Sequence, residues 1–218
     1  GSEMCIRDSY LRGAIAQPDP NIAGMGLTSF ANSLKIENCI TRPGVIASLT
    51  DPEYGEISKP YTTHSIPGTI PAAYYDIGAR GLSYSDSDYW NDGDGGYNDG
   101  WVFRNDGVDV EGSDDDPNIP YTVGWTEAGE WLGYTIEDVS PGTYEVSFSI
   151  SAPDAGGIFF AQLSGQNLGV IDVPATGGWY NWEDLPAQTI TVSEGEKFLK
   201  IQIVQALSLI HISEPTRR

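Results

Sequence analysis

The chain has 218 residues and a formal charge of −20, with 31 acidic side chains against 11 basic ones. A field of that sign repels nucleic-acid phosphates and anionic membrane surfaces, so neither is expected as a partner. Charged residues are nevertheless only 19% of the chain and aromatics reach 11%, which fits a secreted, aromatic-rich β-protein with a packed core rather than a disordered acidic tail.

Taken in chain order, the first segment is Glu3-Met4-Cys5-Ile6-Arg7-Asp8-Ser9. It and the final stretch from Leu207 to Arg218 resemble translated read-through of sequencing adaptors, so residues 1–12 and 207–218 are expected to be artefactual tails on a metagenomic fragment. Ordinary frayed termini are the alternative. No basic n-region leads into an apolar h-region, and no run of 18 apolar residues occurs, so the sequence displays neither an export signal nor a membrane span. Cys5 and Cys39 lie in no CxxC or Cys/His cluster that could ligate zinc or exchange disulfides.

Residues 13–65 read as the remnant of an upstream domain and a linker. Gln17-Pro18-Asp19-Pro20, Arg42-Pro43-Gly44, Thr50-Asp51-Pro52 and Ser58-Lys59-Pro60 punctuate them, and only Leu27 to Ile40 has the pattern of a modest helix. From Ile66 to Ala206 the pattern changes to short β-rich runs: Trp131 to Ile136, Thr143 to Ile150, Ile158 to Leu163, Gln188 to Val192 and Lys197 to Val204. Turn residues such as Pro141-Gly142 and Ser193-Glu194-Gly195 separate them. Strands of this length without long amphipathic helices between them predict an all-β fold, an antiparallel β-sandwich over 66–206 with an irregular N-terminal extension. The stretch from Tyr84 to Gly112 is long for a hairpin loop and rich in Asp, Asn, Gly and aromatics, which marks it as a place where function resides.

Two segments carry recognition chemistry. In Val123 to Leu132, and again in Gly177-Gly178-Trp179, indoles stand beside glycines, in the first case with carboxylates. That combination holds the flat apolar face of a sugar while accepting hydrogen bonds from its hydroxyls. These segments belong to an ordered series: Ile66-Pro67-Gly68-Thr69-Ile70, Tyr75-Asp76, Gly107-Val108-Asp109-Val110-Glu111, Val123-Gly124-Trp125, Ala128-Gly129-Glu130-Trp131-Leu132, Gly142-Thr143-Tyr144 and Pro174 to Trp179. The series resembles the landmarks of family 6 carbohydrate-binding modules.

The resemblance implies a jelly-roll sandwich attached to a secreted glycoside hydrolase and binding plant or algal polysaccharide without catalysing its cleavage. It implies that Trp125 and Trp179 clamp a sugar in a cleft at the loop end, and that Glu111 accepts hydrogen bonds there. It also implies that Trp131 contributes to a second cleft on the concave face, with Gln162 at a position where some members carry an acid. The family completes its main cleft with an Asn ahead of the final strand; this sequence departs after Gln205, so that amide and that strand are expected to be missing. Family members place two calcium-ligating Gln or Glu side chains where this chain has Pro71 and Ala73, neither of which offers a side-chain oxygen, so the usual structural calcium is not expected.

Two other functions are weighed against binding. A small glycosidase needs paired carboxylates, but Glu127 and Glu130 are three apart in a strand-like stretch and point to opposite faces. A calcium-dependent adhesion domain is the other, since Asp86, Asp88, Asp92, Asp94 and Asp99 include Asp92-Gly93-Asp94-Gly95, yet the EF-hand spacing with its terminal Glu is absent. Tyr89, Trp90, Tyr97 and Trp101 in the same loop either widen a saccharide platform or pin the loop to the sandwich.

Overall fold

The computed structural model describes residues 20–35, 37, 39, 41–87, 99–112, 120–186, 188–206, 209–211 and 216–217. The chain forms two units, residues 1–41 and 42–218. In the first, α1 spans Pro20–Ser33, earlier than the helix expected over Leu27 to Ile40. Pro20 explains the difference: a proline in the first turn lacks only an N–H that a helix start leaves unbonded anyway, so it opens a helix instead of breaking one. The same holds in the second unit for Pro43, which opens α2, Pro43–Thr50, in a stretch expected to be irregular.

Residues 58–66 pack with the sandwich. Ser58 Oγ donates to Asp76 Oδ2 at 2.9 Å and lies 2.8 Å from Ser83 Oγ, and β1 (Ser65–Ile66) runs parallel to β6 (Asp138–Val139). His64 is buried, its Nε2 3.0 Å from the Tyr74 carbonyl.

The remaining strands are β2 (Tyr84–Ser85), β3 (Val110–Gly112), β4 (Tyr121–Gly124), β5 (Trp131–Ile136), β7 (Gly142–Val146), β8 (Ser149–Ser151), β9 (Ile158–Leu163), β10 (Gln166–Asp172), β11 (Glu183–Asp184), β12 (Gln188–Val192), β13 (Lys197–Gln205), β14 (Leu209–His211) and β15 (Thr216–Arg217). One antiparallel sheet has the order β10-β9-β13-β5-β2 and the other β11-β8-β14-β4-β3, with β12-β7-β15 beside them. Among the described residues the chain crosses between the two sheets repeatedly, with only β3-β4 and β9-β10 as neighbouring pairs within one of them, and so forms an antiparallel β-sandwich, as the sequence predicts. Alternating positions fill its interior, among them Tyr134, Ile136, Tyr144, Phe148, Ile150, Phe159 and Ile201.

Thr143 to Ile150, expected as one strand, is divided into β7 and β8. Side-chain alternation continues through the break, with Tyr144, Val146, Phe148 and Ile150 all buried, but the pairing partner changes from β12 to β11. The strand expected to be missing after Gln205 is also present: Leu209–His211 pairs antiparallel with both β4 and β8. An open slot there leaves two rows of unpaired backbone groups, and a short apolar run can satisfy them because ladder pairing depends little on side-chain identity.

Below the sandwich mouth, buried polar groups fix the loops. Asp76 Oδ1 accepts from the Thr135 amide at 2.8 Å and Oδ2 from Thr135 Oγ1 at 2.6 Å. Arg104 follows the short helix α3 (Gly100–Phe103), stacks on the Tyr75 ring at 3.6 Å and pairs with Asp106 at 3.0 Å.

Candidate functional site

β4 and β8 run in the same direction, each antiparallel to β14 between them. Gly124, the last residue of β4, and Ser151, the last of β8, are both register partners of Leu209. With strands about 4.8 Å apart, these two ends are separated by about 10 Å. Trp125 leaves directly from the first end. Its backbone φ is 45°, a left-handed conformation that costs an L-residue about 1–2 kcal/mol and is retained where the surroundings hold a side chain in a set direction.

The second tryptophan is tied to the other end. Ser151 Oγ donates to the Gly178 carbonyl at 2.8 Å, and Thr176 exchanges hydrogen bonds with Ala152, its amide donating at 2.7 Å and its Oγ1 accepting at 3.0 Å. Gly177 supplies the positive φ of 84° that the turn needs. Trp179 follows and is 56% exposed, whereas Trp125 is half-buried.

Glu111 lies on β3 opposite Thr122 and is only 8% exposed. Its Oε1 accepts a 2.6 Å hydrogen bond from Tyr180 Oη. In the sequence only its adjacency to Trp179 marks Tyr180, because its partner is 69 residues away. The bond carries the loop across the sheet face from β8 to β3. Thr122 Oγ1, beside Glu111 in register, is buried without a hydrogen-bond partner among the described residues.

Trp131 and Gln162 share the outer face of the other sheet. Trp131 pairs with Gln202, which pairs with Phe160, which pairs with the exposed Val170 of β10. One rung along, Gln162 pairs with Lys200. The Lys200 ammonium stands 4.2 Å from the Trp131 ring centroid.

Glu127 and Glu130 lie in a turn, not a strand. Glu130 is buried, with one carboxylate oxygen accepting from the Ser87 amide at 2.9 Å and the other from the Glu127 amide at 2.8 Å, while Glu127 is exposed. Pro71 and Ala73 are buried. Among the described residues no group of three His, Cys, Asp or Glu side chains is placed to hold a metal ion. Asp88, Asp92, Asp94, Tyr89, Trp90, Tyr97 and the side chain of Trp101 lie outside the described residues, as do residues 1–12.

A family model described as Carbohydrate binding module (family 35) matches residues 104–209, the stretch that holds Glu111, Trp125, Trp131, Gln162, Trp179 and Tyr180. This match supports a carbohydrate-binding module. The chain is also 33% identical over 81 residues to the clotting factor G alpha subunit of Tachypleus tridentatus, covering 36% of this chain and 12% of that protein; it thus spans about an eighth of that relative. Among solved structures it is similar to the C-terminal family 6 module of a marine laminarinase from Zobellia galactanivorans, at 29% identity over 49% of this chain and 88% of that one, with a TM-score of 0.41. A module from Cellvibrio mixtus lichenase 5A in complex with cellotriose is 28% identical over 50% of this chain and 87% of that one, with a TM-score of 0.40.

Proposed function

We propose that the sandwich binds polysaccharide without cleaving it, clamping one sugar ring between Trp125 and Trp179 in a cleft at the loop end, with Glu111 accepting hydrogen bonds from its hydroxyls. The observation that carries this reading is the shared register of Gly124 and Ser151 on Leu209. Trp125 follows Gly124 directly and Trp179 follows a glycine whose carbonyl is held by Ser151, so both indoles start from the same end of the sheet, and a sugar ring between them would meet each at about 4 Å. The bond from Tyr180 accounts for one lone pair of Glu111 Oε1, and a carboxylate has further acceptor sites for a ligand.

Burying roughly 100 Å² of apolar sugar and indole surface is worth about 2.5 kcal/mol, and each charge-assisted hydrogen bond adds about 1.5 kcal/mol. Association entropy offsets much of this, so the expected dissociation constant lies between about 10 µM and 1 mM. Weak sites of this kind work by raising the effective concentration of what they tether. We assign the module to targeting an attached, secreted glycoside hydrolase to plant or algal polysaccharide, with the order of sequence landmarks favouring the family 6 pattern. Trp131 and Gln162 form a second saccharide cleft on the outer face of β5, β13 and β9.

The test is co-sedimentation of the purified chain with insoluble β-1,3-glucan, cellulose, xylan and agar. The wild type is retained on at least one of them, and Trp179→Ala is retained markedly less on it with an unchanged circular dichroism spectrum, the remainder being the share of the second cleft. Unchanged retention by the variant contradicts the cleft.

A further inference from the structure

The outer face of the β10-β9-β13-β5-β2 sheet carries little of the molecule's negative charge, and Asp86 and Glu130, which adjoin Trp131 at the ends of β2 and β5, are buried. The chain carries 31 acidic residues, yet β2, β5, β9 and β13 contain no acidic residue along their lengths. Their cations are Lys197, whose ammonium is engaged by the carbonyls of Glu194 and Gly195 at the turn, and Lys200, which stands over Trp131. On the edge strand, Asp172 pairs with Ile158, four residues along β9 from the Lys200 partner Gln162. Two strand spacings and four residues put that carboxylate about 16 Å from Lys200, beyond the screening length of about 8 Å at physiological salt.

We infer that this face takes an anionic polysaccharide, one bearing carboxylate or sulfate groups, with Lys200 as the cation that selects it. The inference rests on the reading of Trp131 and Gln162 as a second saccharide cleft. In the free protein the Lys200 ammonium occupies one face of the Trp131 indole through a cation–π contact. A neutral sugar stacking on that face must push the ammonium aside and offers it no charged partner. An anionic group draws the ammonium off the ring into a charge-assisted hydrogen bond, which leaves the indole open for the sugar's apolar face. Gln162 and Gln202, the register neighbours of Lys200 and Trp131, supply amides for the remaining hydroxyls.

The experiment measures affinity electrophoresis constants for polygalacturonate, a sulfated galactan and a neutral soluble β-1,3-glucan, all with EDTA present. It is run in the Trp179→Ala background so that the loop-end cleft does not contribute, with thermal unfolding used to confirm that each variant is folded. At least one polyanion is expected to bind more tightly than the neutral glucan, and which one binds identifies carboxylate or sulfate as the recognised group. Lys200→Gln is expected to lower the polyanion-to-neutral affinity ratio at least fivefold, and Trp131→Ala to weaken the polyanion as well. A wild-type preference for the neutral glucan, or a smaller change with Lys200→Gln, overturns the assignment. Loss with Trp131→Ala but not with Lys200→Gln removes the charge selection and leaves the second cleft standing; no loss with either removes the second cleft itself.

Discussion

Trp125 and Tyr180 define the proposed site at the scale of single residues. The left-handed backbone of Trp125 directs an indole away from the end of β4, and such a conformation is costly for a bulky residue. Tyr180 is half exposed and donates to a carboxylate at 2.6 Å. Tyr180→Phe removes that hydrogen bond and frees the loop carrying Trp179. The expected result is a three- to tenfold loss of sugar affinity, about 1 kcal/mol, with a melting temperature within 2–3 °C of wild type, roughly the shift that less than 1 kcal/mol produces. A larger effect on melting than on affinity contradicts this role. Trp125 and Trp179 were conspicuous in the sequence as indoles beside glycine, and Glu111 only through its place in the series of landmarks. Tyr180 was not, because a phenol's role depends on which carboxylate the fold brings to it.

Strands were legible where one partner serves a whole run. Trp131 to Ile136, Ile158 to Leu163 and Gln188 to Val192 match β5, β9 and β12 residue for residue. The break between β7 and β8 was hidden because inward alternation persists while the pairing partner changes. Pro20 and Pro43 have the sequence signature of breaks because a proline at a helix start looks, in sequence, like a proline in a loop. Gly133 shows what an element tolerates: a Cβ there would stand 2.4 Å from Phe198 Cζ and 2.9 Å from the Ser83 carbonyl. Gly133→Ala is therefore expected to destabilise the chain by about 1–3 kcal/mol, read as a lower urea midpoint. An unchanged midpoint contradicts the close approach of β2 to β5. β14 is the element on which the site's geometry depends most, since it sets the spacing of β4 and β8. Ending the chain after Ala206 should lower thermal stability and sugar retention together; retention equal to wild type contradicts the role given to β14.

At the scale of the whole molecule, stability and charge are coupled through groups sealed in the sandwich. Burial, the largest influence, pushes the His64 imidazole below its ordinary value of 6.5, against the opposing pull of the Tyr74 carbonyl and the carboxylates of Asp76 and Glu137. The unfolded chain then binds the proton at higher pH than the folded one. Stability from this site is complete above pH 6.5 and is lost as pH falls through the lower folded value. The melting temperature of wild type should fall between pH 7.5 and 5.5 more steeply than that of His64→Gln, whose amide can still donate to Tyr74; equal slopes contradict a neutral buried His64. The all-β scaffold was legible from strand length and spacing, whereas β14, Leu209–His211, is only three residues long and has no Gly or Pro turn signal ahead of it to mark it. The most direct measurement is co-sedimentation of wild type, Trp125→Ala and Trp179→Ala with insoluble β-1,3-glucan, cellulose, xylan and agar, with folding checked by circular dichroism. Retention of the wild type on at least one polysaccharide, markedly lowered in both variants, is the predicted result. Folded variants retained as well as the wild type would contradict the clamp.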